Sequence, residues 1–574
     1  MSFDTLIMKV VTDELKDEAT GALIQQVYEP SPLEIALHLY YRGRQMNLLF
    51  SIESKYARIH LTGESGKRKN QPSPFCMLLR KYLIGGRIAS FSNPPLERVM
   101  EIEIDPPEGL PPVRIIAEIM SRRSNLILVG GNNDEILGAM KIASWEKNPL
   151  RAIMPGEKYR PVPRQDKLDP LRMEESEFIS NFENILKEIS KPEKALYSAV
   201  EGISPLIARE LVFRSKWDNR KQPEVLKSLY RETQKLFNEL DSGQVQPVLI
   251  PEFGIYAAVP LMHLNNDGTR YFESVNELLD QFYSVQIREE REKQLKESLN
   301  SAVNRKLSSL QYKKRELDKE LAASAKAPEL RQYGELLLAY GDRVEKGAES
   351  VALPDLYNPD QLIVIPLNPA KNAGANARYY FNRYRKAKNS RDQIRKQLNK
   401  TKSEIDYCLN LLYSIENGSG ISLIEITQEL IEAGYLKKKE KGKRKSDELP
   451  KPLTFKSSSG NSILVGRNNR QNDYITFKAA VRRDTWFHVR QLPGSHVVLK
   501  GVSFPPPQQD LEEAAFLAAY FSKGRESSAV AVDYTEVRHV RRRAGGKPGF
   551  VFYENFETIT VNPGNEELQA LFKL

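Results

Sequence analysis

Hydrophobic and polar positions alternate in several short stretches of the first 172 residues. These stretches lie at 34–41, 46–51, 58–61 and 100–104. A period of two is typical of strands with one buried face, so each stretch predicts a β-strand. Residues 75–83 are mostly apolar and are followed by Gly85 and Gly86, which predicts a helix ended by glycine. We therefore predict a mixed α/β domain at residues 1–172.

The hydrophobic period changes to that of helices in residues 173–243. Within this segment, a tight turn at 202–204 is followed by Pro205, and proline is favoured at the first helical position. This arrangement predicts a helix-hairpin-helix domain whose turn points backbone N–H groups at a phosphate. An ordinary helical hairpin is the alternative. The strand-rich residues that follow are expected to pair back onto the N-terminal domain, so that 244–285 completes it.

Two long stretches, at about 286–345 and 376–416, carry apolar residues at the spacing of a coiled-coil seam. The seam positions are Val303, Leu307, Leu310, Leu317 and Leu321 in the first stretch, and Ile394, Leu398, Thr401, Ile405, Cys408, Leu412 and Ile415 in the second. Prolines between 346 and 375 mark a tip. We expect a long antiparallel coiled coil at 286–440, with a dimerisation rod as the alternative. The basic and aromatic residues at 376–388 either pack where the two long stretches meet or contact RNA.

Rare residues cluster at 484–500, where the chain places one of its three tryptophans and two of its six histidines. Around a Pro-Gly turn, this segment holds Asp484, Trp486, His488, Arg490 and His496. The aromatic rings can stack on RNA bases while the arginine holds phosphates, or they can belong to the core. The spacing of the two histidines matches no zinc-ligand motif, so no metal is predicted.

The net charge of +10 favours a polyanionic partner, although many cytosolic proteins are mildly basic. Residues 437–445 hold seven basic residues and one glutamate. The second half of this run belongs to a predicted basic linker at 441–450. In the last domain, at 451–574, the residues expected to contact RNA phosphates are Arg541, Arg542, Arg543 and Lys547. A chain of 574 residues is too long for one core, so roughly three to five domains are expected.

Several classes of protein are excluded by the sequence. It has no apolar run of the about 18 residues that cross a membrane, and its N-terminus lacks the apolar core of a signal peptide. Cys76 and Cys408 are too few for a disulfide framework or a four-cysteine zinc site. We therefore expect a cytoplasmic protein. Motifs for nucleotide binding, for a hydrolase nucleophile and for a zinc protease are missing, so neither a cofactor nor an active site is predicted.

The segment DTWFH…PGSHVV, preceded by VGRNNRQND at 465–473, resembles the C-terminal RNA-binding domain of the NFACT family. The resemblance implies a multidomain α+β fold with four parts in family order. These are an N-terminal α/β domain similar to formamidopyrimidine-DNA glycosylases, a helix-hairpin-helix domain, a long antiparallel coiled coil and an α+β RNA-binding domain. This chain starts Met1-Ser2, without the proline nucleophile of those glycosylases, so their chemistry is not expected.

The resemblance also implies where transfer RNA binds. Bacterial members of the family carry an Asp-Arg pair tied to tRNA engagement, and the matching place here is Glu97-Arg98, with glutamate in the position of aspartate. Arg122, Arg123 and Asn125 resemble the family's loop before the next strand and are the second predicted tRNA contact. The alternative for Glu97 and Arg98 is a surface ion pair.

The function that the resemblance implies is ribosome quality control. Such a protein binds a large ribosomal subunit that still carries peptidyl-tRNA and recruits alanyl-tRNA. The ribosome then adds an alanine tail that marks the nascent chain for degradation, so the protein itself is not expected to be an enzyme. One alternative is a surface adhesin that binds fibronectin, a partner known only from a label often given to the family. The other is a non-catalytic, DNA-binding relative of the glycosylases.

Overall fold

The computed structural model describes residues 3–573, apart from 64–70, 132, 147–150, 164, 219–222, 265–266, 324–326, 438–450, 543–546 and 567. The chain divides into two compact units, Met1–Arg288 and Glu289–Leu574, and each is described by itself. The linker predicted at 441–450 and most of the basic run at 437–445 lie outside the described residues. None of the described helices is long and apolar enough to cross a membrane.

The first unit is built on a nine-stranded antiparallel sheet with the order β4-β3-β2-β1-β5-β6-β7-β8-β9. Its strands are β1 (Leu23–Tyr28), β2 (Glu34–Tyr41), β3 (Arg44–Ser51), β4 (Arg58–Thr62), β5 (Arg87–Ser92), β6 (Val99–Asp105), β7 (Val113–Glu118), β8 (Asn125–Gly130) and β9 (Ile136–Ala139). The strands predicted from alternation fall within β2, β3, β4 and β6, and are confirmed.

Two helices cover the main core of this sheet. Helix α1, Thr5–Ala19, begins after Asp4, whose side chain accepts a hydrogen bond from the Ile7 N–H. Helix α2, Pro74–Leu83, confirms the helix predicted at 75–83. Gly85 follows with φ at +88°, a left-handed conformation that glycine adopts without strain. Cys76 on α2 is completely buried in this core.

Four further helices pack against the same core: α3 (Glu175–Glu188), α4 (Pro192–Ala199), α5 (Pro205–Arg214) and α6 (Pro223–Asp241). Between α4 and α5 the predicted turn is present, because Gly202 has φ at +77° and the Ser204 hydroxyl accepts from the Ile207 N–H. Pro205 is the first residue of α5, as predicted. These residues therefore form a tight helical hairpin.

Three short strands follow: β10 (Val248–Ile250), β11 (Ile255–Ala257) and β12 (Arg270–Tyr271). Within the described residues they pair with one another as β11-β10-β12 and not with β1–β9. Their buried side chains instead join the hydrophobic core of the first unit. In the described part of the chain, the three strands are therefore joined to the rest of the first unit by side-chain packing and not by strand-to-strand hydrogen bonds. A strand pattern in the sequence cannot distinguish these two kinds of association.

The second unit contains two long helices that pack through the predicted seam. Its helices and strands up to residue 432 are α7 (Val275–Ala323, which begins in the first unit), α8 (Ala327–Ala339), β13 (Ser350–Pro354), β14 (Leu362–Pro366), α9 (Ala373–Asn417) and α10 (Ile421–Glu432). Val303 and Leu310 are buried in one cluster with Cys408 and Ile415, while Leu317 packs with Ile394 and Leu398. The pairing runs in opposite directions along α7 and α9, so the helices are antiparallel.

The C-terminal part is a six-stranded antiparallel sheet with the order β15-β16-β18-β17-β19-β22. Its elements are β15 (Leu453–Lys456), β16 (Ser462–Val465), α11 (Asn469–Tyr474), β17 (Thr485–Val489), β18 (Val497–Leu499), α12 (Gln508–Tyr520), β19 (Val530–Glu536) and β22 (Glu557–Val561), with a separate pair β20 (Val540–Arg542) and β21 (Val551–Tyr553). The whole chain is therefore a multidomain α+β protein with long helices and antiparallel sheets. The boundaries between its five predicted segments stay a prediction.

Candidate nucleic-acid interfaces

Trp486 lies in the interior of the C-terminal sheet and is completely buried. It belongs to a cluster with Ile475 and Val498, while the next residue, Phe487, packs into the core beneath α12 on the opposite face of the sheet. Both faces of β17 are therefore covered. Of the two interpretations of these aromatic residues, the structure supports the core, and stacking of the Trp486 ring on a base does not fit this burial.

Asp484 connects three backbone segments and is 1% exposed. Its carboxylate accepts hydrogen bonds from the N–H of Val481 at 2.8 Å and of Gly501 at 3.1 Å, and its carbonyl accepts from the Val537 N–H at 2.9 Å. A carboxylate that satisfies backbone donors in this way has a structural role. The predicted direct contact of Asp484 with RNA does not fit its burial.

His488 and His496 form an aromatic cluster with Trp486. The ring centroids of Trp486 and His496 are 5.1 Å apart, and those of the two histidines are 5.4 Å apart. The Nδ1 atom of His496 lies 2.9 Å from the Thr476 hydroxyl oxygen. Burial lowers the pKa of His488 to about 4 and holds the pKa of His496 well below its ordinary value. Among the described residues, no group of three or more potential ligands could hold a metal ion.

Acidification is therefore expected to destabilise the C-terminal unit. The unfolded chain binds protons on its histidines below pH 6.5, whereas folded His488 does so only near pH 4. The neutral, buried His488 side chain therefore makes its full contribution to the free energy of unfolding above pH 6.5. This contribution is lost as the pH falls towards 4. Urea unfolding at pH 7 and pH 5, followed through amide exchange of β17 and β19, should show a smaller loss for His488→Gln than for the natural chain. If both proteins lost the same stability between pH 7 and pH 5, protonation of His488 would not be the cause of the loss.

The segment at 465–473 is explained by its contacts with α10. The side-chain amides of Asn468 and Gln471 donate to Glu425 at 2.6 and 2.7 Å. The Asn469 amide donates to Glu429 at 3.0 Å, and Arg470 pairs with Glu432 at 2.5 Å. Successive polar residues thus meet acidic residues one helical turn apart. The asparagine-rich run is visible in the sequence, but nothing in the sequence points to these partners, because they lie about 40 residues away.

Arg490 is held by the acidic residue Asp533 on the neighbouring strand β19. Its Nε donates to the carboxylate at 3.0 Å, and the same carboxylate accepts from the Tyr553 hydroxyl at 2.9 Å. The guanidinium also lies 5.5 Å from the centroid of the Phe556 ring. The Arg490 side chain is nevertheless 43% exposed, so it can contact a ligand without leaving these partners.

The predicted phosphate contacts near the C-terminus differ in how much of their charge is available. Arg541 pairs with Glu554 at 3.0 Å and is 72% exposed, while Arg542 donates to Asp473 at 2.6 Å. Lys547 lies 4.2 Å from the Tyr407 ring centroid and donates to the Tyr435 hydroxyl at 2.7 Å. Burial lowers its pKa, and a phosphate contact would cost these interactions. Arg543 lies outside the described residues.

Three further cations of the same domain are exposed. They are Lys478, Arg482 and Arg483, none of which pairs with a carboxylate in the described part of the chain. The backbone N–H of Arg538 donates to the carbonyl of Arg482 at 3.1 Å, and the Arg542 guanidinium lies 4.6 Å from the Phe477 ring. Residues 477–483 and 537–542 therefore run side by side. We call this surface, with Lys478, Arg482, Arg483, Arg538, Arg541 and Arg542, the basic face.

In the first unit, Glu97 and Arg98 lie at a small pocket of about 130 Å³. The loop that carries them is fixed by Asn93, whose amide donates to the carbonyls of Glu97 at 2.9 Å and Val99 at 2.6 Å. Leu96 adopts φ of +61° and packs against Gly202 of the helical hairpin. A Cβ at Gly202 would lie 2.9 Å from the Leu96 side chain, so glycine permits this close approach.

The same pocket is lined by Ser204 of the predicted turn, and by Asp4, Lys167 and Tyr197, to which no pattern in the sequence points. Burial raises the pKa of Asp4, while the Ser204 hydrogen bond and the charge of Arg98 act in the opposite direction. Lys167 lies 4.4 Å from the Tyr197 ring centroid. Two helix N-termini, two cations, an exposed aromatic ring and several acids therefore surround one cavity. Such a mixture can hydrogen-bond a base or ribose as well as a phosphate.

The second predicted tRNA contact lies at the same end of the sheet. The N–H of Ile119 donates to the Arg98 carbonyl at 2.9 Å, and the turn Ser121–Arg123 follows directly. Arg122 and Arg123 are exposed, as a phosphate contact requires. Asn125 is only 3% exposed, and its side chain bonds both the N–H and the carbonyl of Lys141. Asn125 therefore joins β8 to the end of β9, and its predicted contact with tRNA does not fit this burial.

Comparison with known protein families shows to which family the chain belongs. A model described as NFACT N-terminal and middle domains matches residues 4–448, and one described as NFACT protein RNA binding domain matches 451–554. The chain belongs to the NFACT family. The resemblance first seen in residues 465–500 is thereby confirmed. All residues of the basic face lie within 451–554, the part of this NFACT chain that matches the RNA-binding model.

Individual relatives match over the full length. The protein named Rqc2 homolog RqcH from Bacillus subtilis is 35% identical over 585 residues, with 100% of each chain covered. The protein of that name from Streptococcus pneumoniae serotype 2 is 32% identical, again with 100% of each covered. The solved C-terminal part of the fibronectin/fibrinogen-binding protein from Streptococcus suis is 33% identical and covers 49% of this chain and 99% of its own. Its TM-score to this chain is 0.40.

Proposed function

We propose that this NFACT protein is a ribosome quality-control factor of the cytoplasm. It binds large ribosomal subunits that still carry peptidyl-tRNA and recruits alanyl-tRNA to them. The ribosome then extends the stalled chain with alanine residues that mark it for degradation. The observation that carries this proposal is the match, over the whole of both chains, to proteins named Rqc2 homolog RqcH.

The division of labour follows from the two candidate interfaces. The basic face lies within the part of the chain that matches the RNA-binding model. Arg482 and Arg483, which form no ion pair in the described residues, are suited to ribosomal RNA phosphates. The pocket at Arg98 is small and chemically mixed, which is suited to a single base of a tRNA. In this proposal the protein contributes positioning, and peptidyl transfer belongs to the ribosome.

Sequencing of the RNA that co-purifies with the tagged, full-length protein tests the proposal. We expect large-subunit ribosomal RNA together with enrichment of one tRNA isoacceptor, that of alanine. Mass spectrometry of the released nascent chains should show C-terminal alanine tails. Recovery of neither RNA at moderate salt would contradict the proposal, and enrichment of a different isoacceptor would contradict the choice of alanine.

The basic face predicts a specific salt dependence. Replacing Arg482 and Arg483 with alanine should weaken binding to purified large subunits and lower the slope of log K against log salt by about 0.7 to 0.9 per arginine. Arg541→Ala should have a smaller effect, because Arg541 already pairs with Glu554. The measurement is a titration of subunits at several salt concentrations.

The matched control is Arg172→Ala, which removes an arginine that is 89% exposed and lies outside the basic face. Its slope should equal that of the natural chain. If removal of Arg482 and Arg483 changes the slope no more than Arg172→Ala, ribosomal RNA does not bind at the basic face.

A further inference from the structure

A cleft in the second unit lies between α8 and the beginning of α9. It encloses about 1010 Å³, against about 130 Å³ for the pocket at Arg98. Its walls are the first half of α8, the connection at 366–371 and the first turns of α9. The volume is at the upper end of the about 300–1,000 Å³ typical of small-ligand sites, so the cleft has room for more than one nucleotide.

The walls of the cleft are fixed by hydrogen bonds and close packing. Asn376 is 2% exposed, and its amide nitrogen lies 3.1–3.3 Å from the carbonyl oxygens of Asn368, Lys371 and Asn372. The Tyr380 hydroxyl donates to the Pro366 carbonyl, and its ring packs edge-on against Tyr333 of α8. The cleft is therefore a preformed feature of the fold.

The side chains that face the cleft combine an exposed aromatic ring with cations. Tyr379 is 44% exposed. Lys371 Nζ lies 5.2 Å and Arg383 Cζ lies 5.5 Å from its ring centroid, and Lys386 lines the same cleft. In the described residues none of these three cations forms an ion pair. The one carboxylate among the lining residues, Glu329, accepts a hydrogen bond from the Tyr333 hydroxyl.

We propose that this cleft binds a short stretch of single-stranded RNA. An unpaired base stacks on the Tyr379 ring, and the phosphates on either side contact Lys371 and Arg383. Stacking on an aromatic ring beside cations is the usual way in which proteins hold single strands. An RNA duplex offers no free base face to the ring, and an acidic peptide would use only the cations. The site lies outside both interfaces named above and adds a third RNA contact to the chain.

Photo-crosslinking of the full-length protein to an oligouridylate that contains 4-thiouridine tests the site. Peptide mass spectrometry should locate a cross-link in the peptide that holds Tyr379. The cross-link yield, measured against oligonucleotide concentration, gives the affinity of this cleft separately from other RNA sites. Tyr379→Leu should weaken that affinity at least five-fold, while Tyr379→Phe, which keeps the ring, should leave it unchanged. Lys371→Gln and Arg383→Gln should each weaken it and reduce its salt dependence.

Three outcomes would overturn the proposal. Cross-links could fall only outside residues 327–387, Tyr379→Leu could bind as the natural chain does, or duplex RNA could compete as well as the single strand. Competition by polyglutamate together with an unaffected Tyr379→Leu would identify an acidic-peptide site instead. Circular dichroism of each variant checks that the helices remain folded. Because the probe contains neither ribosome nor tRNA, the result does not depend on the proposed role in quality control.

Discussion

Replacing Trp486 with alanine is expected to lower the free energy of unfolding of the C-terminal unit by about 3–5 kcal/mol. The indole is completely buried and packs with Ile475 and Val498, so the truncation leaves a cavity that a sheet covered on both faces cannot close. Because the chain has two units, the measurement should be local. Hydrogen exchange of β17 and β19 amides in increasing urea gives the free energy of unfolding for this sheet.

Two variants serve as controls for Trp486→Ala. Trp145→Ala removes a tryptophan that is 39% exposed in the first unit, and should leave the exchange of β17 unchanged. Trp486→Phe keeps an aromatic ring and removes an indole N–H that has no hydrogen-bond partner in the described residues, so it should cost much less than alanine. A stable Trp486→Ala protein that no longer binds RNA would show that the ring contacts RNA directly.

Replacing Arg98 with alanine is expected to weaken tRNA binding about ten-fold or more, while binding of large ribosomal subunits stays intact. Hydrogen bonds that involve a charged group contribute about 1.5–3 kcal/mol, which corresponds to roughly a ten-fold to hundred-fold change in affinity. Arg98 lies at the pocket where the helical hairpin meets the N-terminal sheet, whereas the basic face is in the other unit. Titration of tRNA and of subunits against each variant measures the two affinities separately.

Arg98→Lys is the matched variant, because it keeps the charge and loses the planar group that can form paired hydrogen bonds. We expect it to recover part of the tRNA affinity. Since Arg98 also interacts with the buried carboxyl of Asp4, the thermal stability of the first unit must be compared at the same time. A parallel loss of tRNA binding, subunit binding and stability would show that Arg98 is structural.

The sequence predicted features that depend on a regular spacing. The strands at 34–41 and 100–104 alternate because each has one face on the main core, and the seam of α7 and α9 repeats because two helices share one line of contact. Trp486 was harder. It stands in the run Thr485-Trp486-Phe487-His488-Val489, which does not alternate, and that is the pattern of a strand covered on both faces.

The partners of the candidate sites could not be predicted in the same way. The pocket at Arg98 draws residues from the N-terminus, from the loop at 93–98, from the segment near 167 and from the helical hairpin. No periodic pattern links segments that far apart in sequence. Whether an arginine is available to RNA was equally hidden, because Arg542 and Arg483 look alike in sequence and only the fold brings Asp473 to the first of them.

The burial of both cysteines has a practical consequence. Cys76 on α2 lies in the core of the first unit and Cys408 lies in the seam of the long helices, each with 0% exposure, and burial raises the pKa of the Cys408 thiol. Thiolates rather than thiols react with maleimide dyes, so the natural chain should remain almost unlabelled while folded. A single introduced cysteine, such as Tyr357→Cys at a position that is 83% exposed, could then carry one fluorophore. Its emission would then report on the surroundings of residue 357, between β13 and β14, when RNA or ribosomal subunits are added.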